Sequence, residues 1–190
     1  MITADLYDFD GTVFAGESGS EFMLFCIKRH PKLLKYLPKM AIAVFRYFVL
    51  RKETFSEFKE AGYSYLNGID AEKEAEAFWE KNADRMNPWF KPAEHDVPVV
   101  ICSASPVFQI KPICDRLGVT LVLATDMDAK TGRLNDVNCK GENKLEYIKK
   151  YAPEYVFRDV YTDSIKNDTP ILNLAQRNKY KVEKGNISKI

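Results

Sequence analysis

The chain has 190 residues, 46% hydrophobic and 29% charged, which suits one domain with a modest insertion and excludes a disordered tail. Its net charge is +1, from 28 Lys and Arg against 27 Asp and Glu, so it lacks the overall basic excess of a nucleic-acid binder. Two histidines exclude a three-imidazole metal site, and the four cysteines (Cys26, Cys102, Cys114 and Cys139) form no Cys-x-x-Cys pair and read as reduced thiols.

The first ten residues carry Asp5, Asp8 and Asp10 and no basic-then-apolar leader. No run of eighteen apolar residues follows, so the expected compartment is the cytoplasm. Ile2–Tyr7 predicts a short buried strand leading into Asp8-Phe9-Asp10-Gly11. Residues 18 to about 86 read as helical throughout, in segments 18–28, 32–51 with a break at Pro38, 55–66 and 70–86. Asn67-Gly68 stops the third segment, and Asp70 is an N-cap for the fourth. After Asn87-Pro88 the texture changes. Strands are expected over 97–102, 119–125, 156–162 and 180–182, and helices over 106–117, 142–151 and 169–177, with a turn at 128–132. That alternation predicts an α/β layer with a parallel sheet, which the opening strand joins.

The helical stretch has a charge pattern of its own. Between Glu21 and Glu53 there is no acid, and the interval holds eight basic residues: Lys28, Arg29, Lys32, Lys35, Lys39, Arg46, Arg51 and Lys52. The same interval is strongly apolar, with Phe22, Leu33, Leu37, Phe45, Phe48 and Leu50 among others. Two readings stand side by side. One is a membrane-surface element over residues 22–52. The other is a buried helix pair whose long cationic side chains reach solvent.

In parallel sheets, ligands bind beyond the carboxyl ends of the strands. Here those ends carry Asp8, Asp10 and Thr12, then Ser103 and Ser105, then Asp163 and Ser164 with Asp168 close behind, and Lys144 opens the helix before the last of these strands. Carboxylates gathered at one mouth repel one another unless a cation sits among them. Oxygen donors without imidazole select a hard cation, Mg²⁺ being the common one. A lysine beside such a site suits a dianionic phosphate monoester. A carboxylate shielded by the cation and the lysine can attack it and form an aspartyl-phosphate. A second acid two residues on can protonate the leaving oxygen.

Asp8-Phe9-Asp10-Gly11-Thr12-Val13, Ser103-Ala104-Ser105, the run Asn138-Cys139-Lys140-Gly141-Glu142-Asn143-Lys144, and Asp163-Ser164 with Asp168 resemble the four ordered motifs of the haloacid dehalogenase-like phosphatase superfamily. The long helical insertion after the first motif resembles the phosphoserine phosphatase-like branch. The resemblance implies a three-layer, Rossmann-like parallel-sheet core formed by residues 1–16 and 88–190, and a four-helix cap over 17–87. It implies Asp8 as nucleophile and Mg²⁺ ligand, and Asp10 as general acid and base that also lends its carbonyl to the metal. Thr12, Ser103 and Ala104 would bind substrate, with Ser103 and the Ala104 amide on phosphate oxygens. Lys144 would pair with the nucleophile and the phosphoryl group, and Asp163 and Asp168 would hold Mg²⁺. Two departures stand out. Asp163 and Asp168 are five apart where many relatives have four, with Asn167 at the four-residue position, and Thr162 stands where Gly is frequent.

Glu17 lies nine residues after Asp8, an offset at which the resemblance implies an acid that reads a substrate amine. It is equally expected as a first-turn acid favoured by the helix dipole. The apolar, basic interval, together with Tyr161-Thr162-Asp163-Ser164 and Asp168-Thr169-Pro170, is similar to phosphatidylglycerophosphatase C-like enzymes. That likeness implies an anionic lipid phosphate as substrate and a location peripheral to the inner membrane face. Two alternatives remain: the same chemistry on a small soluble phosphomonoester such as phosphoserine, and a non-catalytic phospho-acceptor domain.

Overall fold

Side chains alternate along a strand, so the opening strand β1 (Ile2–Tyr7) sends Ala4 and Leu6 to one face and Asp5 and Tyr7 to the other. The computed structural model describes residues 1–190. It adds β2 (Val99–Pro106), β3 (Leu121–Thr125), β4 (Tyr155–Thr162), β5 (Ala175–Glu183) and β6 (Asn186–Lys189). The six strands lie in the order β3-β2-β1-β4-β5-β6, parallel except for β6. Ala4 and Leu6 join 13 buried residues that include Val100, Cys102, Phe157, Val160 and Ile171. Tyr7 faces a cluster of 22 that includes Phe9, Phe22, Trp79, Ile101 and Ile110. Helices α6 (Asn143–Tyr151) and α7 (Ile165–Leu172) contribute to the first cluster. α5 (Val107–Leu117) supplies Ile110, Ile113 and Cys114 to the second. The architecture is the expected three-layer α/β one.

The helical insert divides into two kinds of helix. α1 (Ser18–Arg29) and α4 (Ala71–Asn82) bury Phe22, Cys26, Phe78 and Trp79 in the larger cluster. α2 (Leu37–Phe45) buries only Ala43, and its π-helical extension Arg46–Leu50 and α3 (Phe55–Gly62) bury nothing fully. The expected helix over 32–51 is broken in two. Pro31 opens a 3₁₀ turn over Pro31–Tyr36, Pro38 sits in the first turn of α2, and Arg51 ends the run in the left-handed region at φ 52°. Thr54 and Glu57 cap α3 reciprocally, and Asp70 accepts the Lys73 amide at the start of α4, as its position predicts. No helix is long and apolar enough to cross a membrane.

Two local expectations are corrected. The helix expected over 169–177 instead runs Ile165–Leu172, and residues from Ala175 enter β5, where Ala175 pairs with Phe157 and Tyr180 with Tyr161. Ala175, Gln176 and Arg177 suit a helix on local propensity, but the open edge of β4 offers them a ladder of backbone hydrogen bonds. β6, unforeseen in the sequence, then pairs antiparallel with β5 through a turn at Lys184-Gly185. The four cysteines are free and buried.

Candidate active site

Strand register assembles the site. Tyr7 pairs with Ile101 of β2 and with Tyr161 of β4, so the chain leaves three adjacent strands at one level with Asp8, Cys102-Ser103 and Thr162-Asp163 side by side. The stacked rings of Tyr7, Tyr161 and Tyr180, 4.3 and 4.6 Å apart, lock that level from one face. Gly11 then turns the chain at φ 71°, and a Cβ there would stand 2.6 Å from Asp163 Oδ2. Only glycine lets the first strand end approach the fourth so closely.

A cavity of about 210 Å³ opens at this mouth, lined by Asp8, Asp10, Glu17, Ser103, Ala104, Lys140, Lys144, Asp163, Ser164, Asn167 and Asp168. Lys144 Nζ lies 2.7 Å from Asp8 Oδ1 and 2.7 Å from Asp168 Oδ1. The Thr162 hydroxyl donates to Asp168 Oδ2 at 2.6 Å, so both oxygens of that acid are held. Asp10 is gripped from two sides: the Ser18 amide donates to one oxygen and the Ser105 hydroxyl to the other, each at 2.6 Å. The Ser105 amide donates to Ser103 Oγ at 3.0 Å, which leaves the Ser103 proton free for a ligand.

Charge is crowded here. Burial raises Asp8 to about 7, with Asp168 and Asp10 adding to the shift and Lys144 opposing it. Burial also raises Asp10, against the pull of its Ser105 and Ser18 hydrogen bonds. Asp163 is raised by burial and then by Asp168, and Glu17 by burial and then by Asp10 and Asp163. Burial would pull the Lys144 ammonium down, but Asp8 and Asp168 outweigh it and hold it well above its usual value. The acids thus lie closer together than one lysine can neutralise.

Asp8, Asp163 and Asp168 each place a carboxylate oxygen within 4.8 Å of the others. An all-oxygen set with surplus negative charge fits a small hard divalent cation such as Mg²⁺. The five-residue spacing of the last two acids is accommodated because Asp163 precedes α7 and Asp168 lies in its first turn, so the helix brings the second acid back beside the first.

Eight of the nine residues singled out in the sequence line this cavity: Asp8, Asp10, Glu17, Ser103, Ala104, Lys144, Asp163 and Asp168. Thr12 does not. It is fully buried behind the mouth, where its hydroxyl accepts the Asp163 amide at 2.8 Å and so fixes an acid that does line it. Glu17 stands at the N-cap position of α1 but its side chain caps nothing, and the first-turn acid of that helix is Glu21. Ser164, placed at a strand end in the sequence, also lines the cavity, whereas sequence reasoning gave Lys140 and Asn167 no role in the site. It also missed Lys59 of α3, which reaches across to the Ala104 carbonyl and Asn138. Lys59 sits in an ordinary amphipathic helix that carries no local signal of this contact.

A second cavity of about 460 Å³ adjoins the first, sharing Asp10, Glu17 and Ala104. Its walls are mostly apolar and come from the insert: Met23, Met40, Val44, Phe55, Phe58 and Tyr63.

A family model for haloacid dehalogenase-like hydrolases matches residues 6–173. No curated protein sequence matches the chain. Among solved structures, a Bordetella pertussis Tohama I protein of unknown function is 18% identical with a TM-score of 0.72, over 91% of this chain and 86% of that one. A family hydrolase from Salmonella enterica serovar Typhi is 15% identical with a TM-score of 0.62, over 91% of this chain and 60% of that one. A probable phosphoserine phosphatase from Vibrio cholerae is 14% identical with a TM-score of 0.61, over 90% of this chain and 54% of that one. These likenesses establish the fold.

Proposed function

The chain belongs to the haloacid dehalogenase-like hydrolases, matched over residues 6–173, and on that premise we propose that it is a Mg²⁺-dependent phosphomonoesterase acting through an aspartyl-phosphate at Asp8. One observation carries the reading: Asp8, paired with Lys144 at 2.7 Å, shares its cavity with a second acid, Asp10, that Ser18 and Ser105 hold in place. A hydrolase that displaces halide needs no proton donor for the leaving group. An alkoxide leaving from phosphorus does.

Asp8, Asp163, Asp168 and the Asp10 carbonyl would hold Mg²⁺, which when bound screens the repulsion between carboxylates and a phosphate dianion. Lys144 orients one oxygen of Asp8 and adds positive charge at the phosphoryl group. Ser103 and the Ala104 amide take phosphate oxygens. A carboxylate oxygen of Asp8 attacks phosphorus, the bond from phosphorus to the ester oxygen breaks, and Asp10 gives that oxygen its proton. Asp10 then takes a proton from water, whose oxygen attacks the aspartyl-phosphate, and inorganic phosphate leaves with Asp8 regenerated. The raised pKa of Asp10 suits a group that must hold a proton before the first step.

Residues 17–87 are read as the cap that covers this site, and 1–16 with 88–190 as the core. For the substrate we favour an anionic lipid phosphate. The adjoining cavity offers apolar walls to the leaving alcohol. Phe45, Phe48 and Val49 stand 52, 62 and 63% exposed on the same basic interval. An anionic leaflet offers about 1 kcal/mol per nearby Lys or Arg. Glu17 supports a second reading, a small soluble phosphomonoester with an amine, because it lines both cavities. The phospho-acceptor reading is disfavoured by membership of a hydrolase family.

Steady turnover of p-nitrophenyl phosphate, abolished by EDTA and restored by Mg²⁺, tests the chemistry; a single equivalent of product would refute it. Co-sedimentation with anionic vesicles that is lost in high salt tests the lipid reading; absence of binding at any salt favours the soluble ester.

A further inference from the structure

Lys59 is the one cap side chain that reaches the backbone of the phosphate-binding strand end, and all three of its donors are in use there. Its ammonium donates to the Ala104 carbonyl at 2.5 Å, to Asn138 Oδ1, and to Thr125 Oγ1 at 3.3 Å. An ammonium has three protons, so this one keeps none for a substrate. No carboxylate lies within ion-pair distance. Burial pulls the group down to about 7, with Lys140 adding to the shift and Cys139 and Asp10 opposing it. A lysine desolvated this far without a counter-charge is positioned at a cost to stability, which calls for a role in the site rather than in the fold.

The carbonyl it grips explains that role. Ala104 C=O and Ser105 N–H belong to one planar peptide. That N–H donates to Ser103 Oγ at 3.0 Å, and the hydroxyl of the same Ser105 donates to Asp10 Oδ2 at 2.6 Å. One peptide therefore aims both the serine proposed to bind phosphate and the acid proposed to protonate the leaving group. A cationic donor on its carbonyl fixes the peptide plane and polarises the N–H on its other side. The helix that carries Lys59 is seated independently of this contact: the Leu134 amide donates to Glu60 Oε1 at 2.9 Å, and Lys140 lies 4.6 Å over the Phe55 ring.

We propose that Lys59 is a positioning residue that couples cap seating to the phosphate cradle: only while α3 is docked does it hold the Ala104–Ser105 peptide so that Ser103 and Asp10 point at the substrate. This rests on the phosphomonoesterase reading and adds to it a cap residue that lines the adjoining cavity but gives its donors to the cradle rather than to substrate or metal. With the cap lifted only the Thr125 hydroxyl of β3, 2.7 Å away, still donates to the Ala104 carbonyl, so the cradle is looser and phosphate binds more weakly and leaves more readily.

The test compares Lys59→Met with Glu60→Ala, which removes a neighbouring tie of α3 but nothing at Ala104. Wild type and both variants, with melting curves to show that each is folded, are assayed with p-nitrophenyl phosphate and with inorganic phosphate as competitive inhibitor. Lys59→Met raises KM and the inhibition constant of phosphate together by about tenfold, while Glu60→Ala moves both less than twofold. Unchanged constants in Lys59→Met, or a further rise when Glu60→Ala is added to Lys59→Met, would overturn the role. If Lys59→Met does not fold, Lys59→Arg carries the test, because a planar fork cannot match three diverging acceptors. A rise of about threefold then supports the role, and no rise refutes it. A wild-type protein without turnover overturns the phosphatase reading itself, a failure distinct from an active wild type indifferent to Lys59.

Discussion

The strand-end mouth and the α2 segment break the inside–outside rule in opposite directions. At the mouth, Asp8, Ser103, Lys144 and Asp168 are buried. On α2 and its π-helical extension, Ile42, Phe45, Phe48 and Val49 are exposed. Neither arrangement helps the fold, since buried charge and exposed hydrocarbon both cost free energy unless something pairs with them. The mouth partly pairs its own charges through Lys144 and Thr162 and keeps a surplus of negative charge. On the α2 face Phe48 meets Tyr47 and Phe58 edge-on, at 4.8 and 5.6 Å, but it and Ile42, Phe45 and Val49 stay mostly uncovered. α1 and α4 show the contrast within the insert itself, because their apolar residues go into the common core. On the proposed reading, one region is built around a ligand and the other toward a membrane surface.

The sharpest break in this comparison is Asp8→Asn. Turnover falls by about 10⁴-fold or more, because an amide is no nucleophile. Stability moves the other way. Burial raises the Asp8 carboxyl from 3.8 to about 7, so above that pH the folded protein holds a carboxylate it would sooner protonate. The unfolded chain is already ionised there, so for this group stability falls as pH rises through about 7. In metal-free protein at pH 8, Asp8→Asn therefore melts at or above wild type. A clearly lower melting temperature would mean that the ion pair with Lys144 serves the fold.

Gly11→Ala comes next. It forces a side chain into φ 71° and against Asp163, so we expect a loss of about 1–2 kcal/mol in stability and about a hundredfold in turnover. A loss of stability with turnover unchanged would place Asp163 outside the chemistry. On the other region, Lys35→Glu with Lys39→Glu should lower adsorption to anionic vesicles by about tenfold or more, with no change on neutral vesicles. Loss on both would argue against a charge-driven contact. The smallest effect belongs to Phe48→Ser with Val49→Ser. Both side chains are mostly exposed and Phe48 loses only its edge contacts with Tyr47 and Phe58, so denaturant melts should shift by about 1 kcal/mol or less while vesicle binding drops. A large destabilisation would show that these edge contacts, rather than a surface partner, account for the exposed aromatics.

Much of the mouth was legible because its information is local. Asp8 and Asp10 follow an apolar run, Ser103 follows another, and Asp163 a third, so the strand ends and their polar residues can be placed without knowing the partners. The ends of elements were less legible. β2 continues through Ser103 to Pro106, past its expected end at 102, because Ser103 pairs with Ala124 of β3. The stretch from Ala175 joined the sheet for the same reason, a backbone partner supplied from elsewhere in the chain.

By itself the sequence determined the alternation of strands and helices, the acids at the strand ends and the unusual charge of the first insert helices. Each of these is a pattern among near neighbours, set by side-chain period and by residue type. Only tertiary structure decided that Ser18 and Ser105 grip Asp10, that Thr12 stands behind Asp163, that Lys59 crosses from the insert to the Ala104 carbonyl, and that the α2 face stays mostly exposed. Apart from Ser18 on Asp10, those contacts join residues tens of positions apart, and they depend on which surfaces the packed sheet leaves within reach, a property no local pattern carries.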